Sequence, residues 1–149
     1  MSSKKNNSAS NVSPFPGGEK PEEFHIAFAK ELQPSGLSEE EITVWNTVAP
    51  ELSKAGRLKK LFVDVIAEYC RLVVRMSAAR KDLDDREWTY VTNGRHGNQE
   101  KSRPEVAQLN DDWRKWRSLV SDLGLSPSAE RHLKSTQGDL FGSEFDQFS

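Results

Sequence analysis

The middle of the sequence carries basic side chains in a spacing that could bind phosphate. Eight basic residues face two acidic ones between residues 54 and 81. Arg71 and Arg75 are one helical turn apart and Lys60 continues that line, which predicts one positive ridge lying away from the apolar seam. Repeated around a symmetric oligomer, such a ridge would bind DNA with a strong salt dependence. The candidate DNA contacts are Lys54, Arg57, Lys59, Lys60, Arg71 and Arg75.

The sequence contains no residue set typical of a catalytic or metal site. Its three histidines lie in separate segments without metal-ligand spacing, and one cysteine rules out the usual zinc sets. Cys70 lies in an apolar run without a nearby histidine, so we expect a buried core residue and not a nucleophile. The adjacent acids Asp84 and Asp85, like Asp111 and Asp112, are expected to be solvated surface charges. We therefore expect no enzymatic activity, no cofactor and no metal.

Length and composition favour one folded domain with polar ends. The chain has 149 residues, of which 35% are hydrophobic and 30% are charged, and its mean hydropathy is −0.73. The net charge of −2 does not by itself indicate a nucleic-acid binder, but residues 19–51 are strongly acidic and the following segment is basic. No amino-terminal stretch resembles a signal peptide or membrane span, so we expect a cytoplasmic protein.

The spacing of apolar residues predicts a mainly α-helical chain with flexible tails at both ends. We expect four segments: a disordered arm at residues 1–20, a short helix or docking segment at 21–36, a folded helical domain at 37–134, and an acidic aromatic tail at 135–149.

Two long helices are predicted on either side of Gly56. A capping box at Ser38 and Glu41 begins the first of them, and Pro50 predicts a kink or an early stop within it. The second helix has apolar residues every three or four positions over about residues 58–83. Because the link between them is short, the two helices should form a long antiparallel hairpin.

A short hairpin or loop and two carboxyl-terminal helices complete the predicted fold. Residues 88–102 favour a β-hairpin or an irregular loop whose basic residues could contact DNA or a neighbouring subunit. A helix with an apolar stripe follows over residues 104–124. In LGLSPSAERHL, residues 123–133, Leu125 can pack back on that helix while Ser126 caps a last short one. The four tryptophans are expected in the core or at a subunit interface.

The carboxyl-terminal tail combines acidic and aromatic residues, as partner-docking segments do. Residues 137–141, QGDLF, are also similar to the Q-x-x-L-F peptide that binds the bacterial sliding clamp, which leaves a clamp as an alternative partner. The candidate partner-binding residues are Gln137, Leu140, Phe141, Phe145 and Phe148.

Four segments, taken in order, resemble the small subunit of tailed-phage terminases. They are LSEEEITVWNTVAPELSKAGRLKKL, VIAEYCRLVVRMSAARKDL, NGRHGNQEKSRPEVAQLNDDWRKW and LGLSPSAERHL, and they cover about residues 37–133. The pair Tyr69 and Cys70 in a long helix, the glycine-containing loop before Pro104, and LGLSP at residues 123–127 follow the family's order and approximate spacing.

The resemblance implies a non-enzymatic protein that assembles into a ring, recognises viral double-stranded DNA and presents it to the large ATPase and nuclease subunit. It also implies that the tail binds the large subunit, in the cytoplasm of the bacterial host and without a membrane. One departure is Glu130, where the family tends to place a basic residue, which argues against a DNA role for the last helix. Two alternatives stay open: a dimeric DNA-binding transcription regulator, or an assembly adaptor that does not contact DNA.

Overall fold

The computed structural model describes residue 18 and residues 20–133, and within them the mainly helical prediction is confirmed. The predicted disordered arm, apart from residues 18 and 20, and the whole acidic aromatic tail with its partner-binding residues lie outside the described residues. The elements in chain order are α1 (Glu22–Glu31), α2 (Glu39–Lys54), a 3₁₀ turn (Lys60–Phe62), α3 (Val63–Arg86), β1 (Thr89–Gly94), β2 (Gly97–Ser102) and α4 (Pro104–Asp122). Residues 127–133 are helical as well.

Helix α1 is fixed to α2 by side chains that bond between the two helices. The indole Nε1 of Trp45 donates to the carbonyl of Ala29 at 2.9 Å, and both residues are buried. Nδ1 of the buried His25 lies 2.8 Å from the hydroxyl of Ser53. Because these polar groups are satisfied where water is excluded, α1 forms part of the packed body.

Helix α2 begins as predicted but does not stop at its proline. Ser38 and Glu41 form the capping box, with the Ser38 hydroxyl accepting from the Glu41 amide at 3.3 Å. The prediction of an early stop at Pro50 is wrong, since the helix continues to Lys54. The amide that proline lacks would have bonded to the carbonyl of Asn46, which is an exposed residue, while Pro50 itself is buried against the core.

The link between α2 and α3 is a Schellman motif followed by a short 3₁₀ turn. Gly56 has a φ of 69°, its amide donates to Ser53 at 3.0 Å, and the Arg57 amide donates to Leu52 at 2.7 Å. The long helix then begins at Val63, later than predicted, and packs back against α2. The predicted helical hairpin is confirmed.

Helix α3 runs through two hydrophobic clusters. Its first half joins α1 and α2 in the larger cluster, where Ile66 and Cys70 are fully buried. The prediction of a buried core cysteine is confirmed, and burial raises the pKa of the Cys70 thiol to about 12. Its second half packs Met76 and Leu83 against Leu109 of α4. Helix α3 therefore connects the amino-terminal helices to α4.

An antiparallel β-hairpin connects α3 to α4, so the alternative of an irregular loop is excluded. Its strands pair from Thr89 opposite Ser102 to Gly94 opposite Gly97. At its base, the guanidinium of Arg103 donates to the backbone carbonyls that end α3, at 2.8 and 2.7 Å. None of the helices within the described residues is long and apolar enough to cross a membrane.

Candidate nucleic-acid interface

Arg57 joins the α2–α3 link to the end of α4. Its Nη1 donates to the carbonyl of Gly124 at 2.8 Å and lies 3.4 Å from that of Leu123. Helix α4 also ends in a Schellman motif, at Gly124 with a φ of 65°. The last carbonyls of a helix carry partial negative charge, which an arginine complements. Arg57, which the sequence predicts as a DNA contact, therefore also links the α2–α3 connection to the carboxyl end of α4.

The glycine of the LGLSP joint is favoured above all by its backbone conformation, since other residues rarely adopt a φ of 65°. A Cβ there would lie 2.6 Å from Leu133 Cδ1 and 2.9 Å from Arg57 Cζ, so the ends of these two flexible side chains would have to shift. The predicted restart of the chain is confirmed, because Leu125 packs on the larger cluster and the Ser126 hydroxyl accepts from the backbone amide of the new helix at 3.2 Å.

Three more of the predicted basic residues surround Arg57. Lys54 Nζ lies 2.7 Å from Glu51 and 3.1 Å from Glu22, and hydrogen bonds to these carboxylates raise its pKa. Lys59 and Lys60 are exposed, and no carboxylate of the described residues forms an ion pair with either of them. Lys54, Arg57 and Lys59 line a common groove, whose lining also includes the acids Asp122 and Glu130. The two exposed lysines are the cations here that are available to a phosphate.

The other two predicted residues lie on α3 and are paired within the chain. Arg71 Nη1 lies 3.5 Å from Glu68. Arg75 donates through Nε and Nη2 to both carboxylate oxygens of Asp112 on α4, each at 2.6 Å. The prediction that Arg75 lies on a ridge away from the helix seam is therefore wrong, because the side chain reaches across to α4. Its contact with DNA stays a prediction.

Asp112 is a buried ionic group, and its prediction as a solvated charge is also wrong. The residue is 1% exposed and accepts a further hydrogen bond from Gln108 at 2.9 Å. The hydrogen bonds from Arg75 lower the pKa of this carboxyl. The sequence held a usable signal, since Asp112 lies three residues after Leu109 and four before Trp116, on the stripe that packs on α3.

The six predicted DNA contacts therefore form two groups and not one stripe. Lys60 lies in the 3₁₀ turn before α3, while Arg71 lies about 12 Å along the helix axis from the start of α3. The first group surrounds the α2–α3 link, and the second faces α4. Only a surface that contacts both groups at once could use all six residues.

The β-hairpin presents further basic side chains to solvent. All six residues of β2 are exposed, including Lys101, and Arg95 is exposed in the turn. Arg103, the residue after β2, uses its guanidinium to donate to the backbone carbonyls at the end of α3. Within the described part of the chain, no three acidic, histidine or cysteine side chains are grouped as metal ligands.

Comparison of the chain with known proteins finds a match to one protein family. The family model described as phage terminase, small subunit, matches residues 43–139, from within α2 to beyond the last described helix. No match was found among curated proteins or among solved structures.

Proposed function

Because the chain belongs to the phage terminase small-subunit family and is a phage packaging subunit, we propose that it is the DNA-recognition component of the packaging machine. In this role it forms a ring, binds viral double-stranded DNA, and recruits or regulates the large subunit. It catalyses no reaction itself and acts in the cytoplasm of the bacterial host. The family match, which runs from within α2 through the LGLSP joint, is the observation that carries the proposal.

The α2–α3 link is the primary DNA contact in this proposal. Lys59 and Lys60 are exposed and without carboxylate partners among the described residues, so a phosphate meets no competing ion pair. Lys54 and Arg57 stand beside them and add positive charge, although both already bond within the chain. Phosphate contacts of this kind position DNA without reading its sequence.

Arg71 and Arg75 form a secondary contact. The Asp112 pair uses two of the five N–H donors of the Arg75 guanidinium, whose side chain is 50% exposed. The remaining N–H groups are available to a phosphate. Arg71, paired only with the exposed Glu68, can exchange that partner at little cost in free energy.

Assembly into a ring would raise the overall affinity for DNA even if each lysine–phosphate contact is weak. A head-to-tail interface that closes repeats the same lysines around one axis, and linked sites bind with greater avidity than one site. Each phosphate contact adds about 0.9 to the slope of log affinity against log salt. Strong salt dependence together with a closed oligomer is the signature that we expect.

The tail is the element that docks the large subunit. A tail of this composition suits an apolar groove with basic edges on the surface of a partner. The residues that would enter the groove are Gln137, Leu140, Phe141, Phe145 and Phe148, and the acids of the tail would face its edges. The sliding clamp is the alternative partner for QGDLF, and loss of clamp capture on deleting residues 137–141 would support it.

Mass photometry followed by DNA binding at two salt concentrations tests the proposal. Lys59→Ala/Lys60→Ala should retain the ring, weaken DNA binding and reduce the salt slope by about 0.9 for each phosphate that the variant no longer neutralises. The matched control Lys30→Ala/Lys115→Ala removes the same charge from α1 and α4. Equally weakened binding in both variants would overturn the assignment of the lysines. A dimer that binds DNA would indicate a regulator, and a ring that ignores DNA would indicate an adaptor.

A further inference from the structure

A groove lined by aromatic side chains lies between α3 and α4. Trp113 and Trp116 stack with ring centroids 4.8 Å apart, and Tyr69 stacks on Trp116 at 6.4 Å. Val73, Met76, Ser77 and Arg80 complete its lining. Trp113 is 40% exposed. We call this surface the aromatic groove.

The edge of the aromatic groove is basic. Cζ of Arg80 lies 5.5 Å from the centre of the Trp113 ring. Arg117, one helical turn after Trp113, is exposed. Neither arginine forms an ion pair with a carboxylate of the described residues. Tryptophan, tyrosine and arginine are the side chains that contribute most binding energy at protein interfaces, so this surface has the composition of a docking site.

The groove also contains a buried donor whose hydrogen bonding is incomplete. Nε1 of Trp116 is buried and makes no hydrogen bond of full geometry within the described residues, although it interacts with the hydroxyl of Tyr69 in the same groove. Buried indole N–H groups usually find an acceptor. An acceptor that comes from outside residues 20–133 would satisfy it, and carboxylates are strong acceptors.

We propose that the carboxyl-terminal tail of the same chain docks in the aromatic groove, through Phe141 and Phe145 with the neighbouring acids toward Arg80 and Arg117. The tail supplies what the groove lacks, since it is acidic and carries apolar side chains spaced a few residues apart. The proposal rests on the proposed function of the tail and adds a regulatory step to it. Docking holds the tail on the subunit until the large subunit competes for the same aromatic residues.

The tail is long enough to reach the groove. Leu133 is in contact range of Gly124 at the end of α4, and Trp116 lies about 12 Å back along that helix. An extended chain covers roughly 3.3 Å per residue, so Phe141 reaches about 26 Å from Leu133. The span needed is about half of that reach, which leaves room for the chain to turn.

Acrylamide quenching of tryptophan fluorescence tests the docking in the full-length chain. In a Trp88→Phe background the remaining tryptophans are the fully buried Trp45 and the two of the groove. Phe141→Ala/Phe145→Ala should raise the quenching constant, and Arg80→Glu should raise it as well. Adding Asp139→Lys and Glu144→Lys to Arg80→Glu should restore the low value. Lys30→Glu, a charge reversal on α1, is the control and should change nothing.

Quenching that is the same with and without the tail phenylalanines overturns the proposal. Oxidation of a Ser77→Cys/Ser143→Cys variant identifies the chain that supplies the tail, because the one native cysteine, Cys70, is buried. A disulfide within one chain supports the proposal, and a disulfide only between chains overturns it.

Binding to the large subunit separates this inference from the proposed function. If about half of the tails are docked, Arg80→Glu should tighten capture of the large subunit about twofold, because the binding-competent fraction doubles. Loss of capture in Phe141→Ala/Phe145→Ala with unchanged quenching would keep the proposed function and overturn the docking. Changed quenching with unchanged capture would keep the docking and overturn the proposed role of the tail.

Discussion

Arg75 and Asp112 form a two-point ion pair between α3 and α4, with both donor–acceptor distances at 2.6 Å. The carboxylate is buried, whereas the arginine side chain is half exposed. The pair therefore fixes the relative position of the two helices from the edge of their contact. Arg75, which the sequence predicts as a DNA contact, therefore has a structural role, and its effect on stability must be measured before its effect on DNA binding.

Removing Arg75 should destabilise the fold. Arg75→Ala leaves the Asp112 carboxylate buried without its partner, and we expect the free energy of unfolding to fall by about 3 kcal/mol. This loss is at the low end for a broken buried ion pair because the arginine is half exposed. Urea denaturation followed by circular dichroism measures it.

The double variant Arg75→Met/Asp112→Leu is the control, because replacing both charges with apolar groups removes the unpaired one and should recover most of the stability. A fully stable Arg75→Ala protein would contradict the structural role. Any test of DNA binding by Arg75 should compare this apolar double variant with the wild-type chain.

Acid should weaken the same contact. The pKa of Asp112 is lowered in the folded state by its bonds to Arg75. A lowered folded pKa gives stability that is present above the unfolded pKa of about 3.9 and is lost as pH falls through the folded value. Between pH 7 and pH 3, the wild-type chain should therefore lose more stability than Arg75→Met/Asp112→Leu. Parallel loss in the two proteins would show that other carboxylates control the acid response.

The sequence predicted the elements well because their signals are local. Capping at Ser38, the glycine stops and the turn dipeptides each act within a few residues. The Arg75–Asp112 pair joins residues that are distant in sequence, so their types alone suggested two solvated charges. The continuation of α2 past Pro50 likewise depends on packing that the local rule does not contain. The tertiary partner of each side chain, and the effect of packing on where a helix ends, were the parts that local patterns could not predict.

Substitution of Gly124, the glycine of the LGLSP joint, should destabilise the fold far more than substitution of the loop glycine Gly36. Gly124→Ala forces an alanine to a φ of 65° and against Arg57 and Leu133, so we expect a loss of about 1–3 kcal/mol. Gly36→Ala is the matched control, because no atom lies within 4 Å of the added Cβ. Thermal unfolding of the two variants compares them directly. Equal melting temperatures would contradict the requirement for glycine at the joint.

Arg57 offers a way to separate structure from DNA binding at one position. Its guanidinium bonds to carbonyls at the end of α4, and it lies in the groove with Lys54 and Lys59. Arg57→Lys keeps the charge but loses the planar fork that suits these carbonyls, whereas Arg57→Met loses both. We expect both variants to lose about 1.5–3 kcal/mol of stability, as for hydrogen bonds to a charged group.

The affinity for DNA should differ between Arg57→Lys and Arg57→Met. Phosphate attraction at this position depends on charge, so Arg57→Lys should bind DNA as the wild-type chain does, while Arg57→Met should bind more weakly with a salt slope lower by about 0.9. Fluorescence anisotropy with double-stranded DNA at two salt concentrations measures the slope, below the melting temperature of both variants. Equal DNA affinity in all three proteins would restrict Arg57 to its structural role and leave Lys59 and Lys60 as the phosphate contacts of the α2–α3 link.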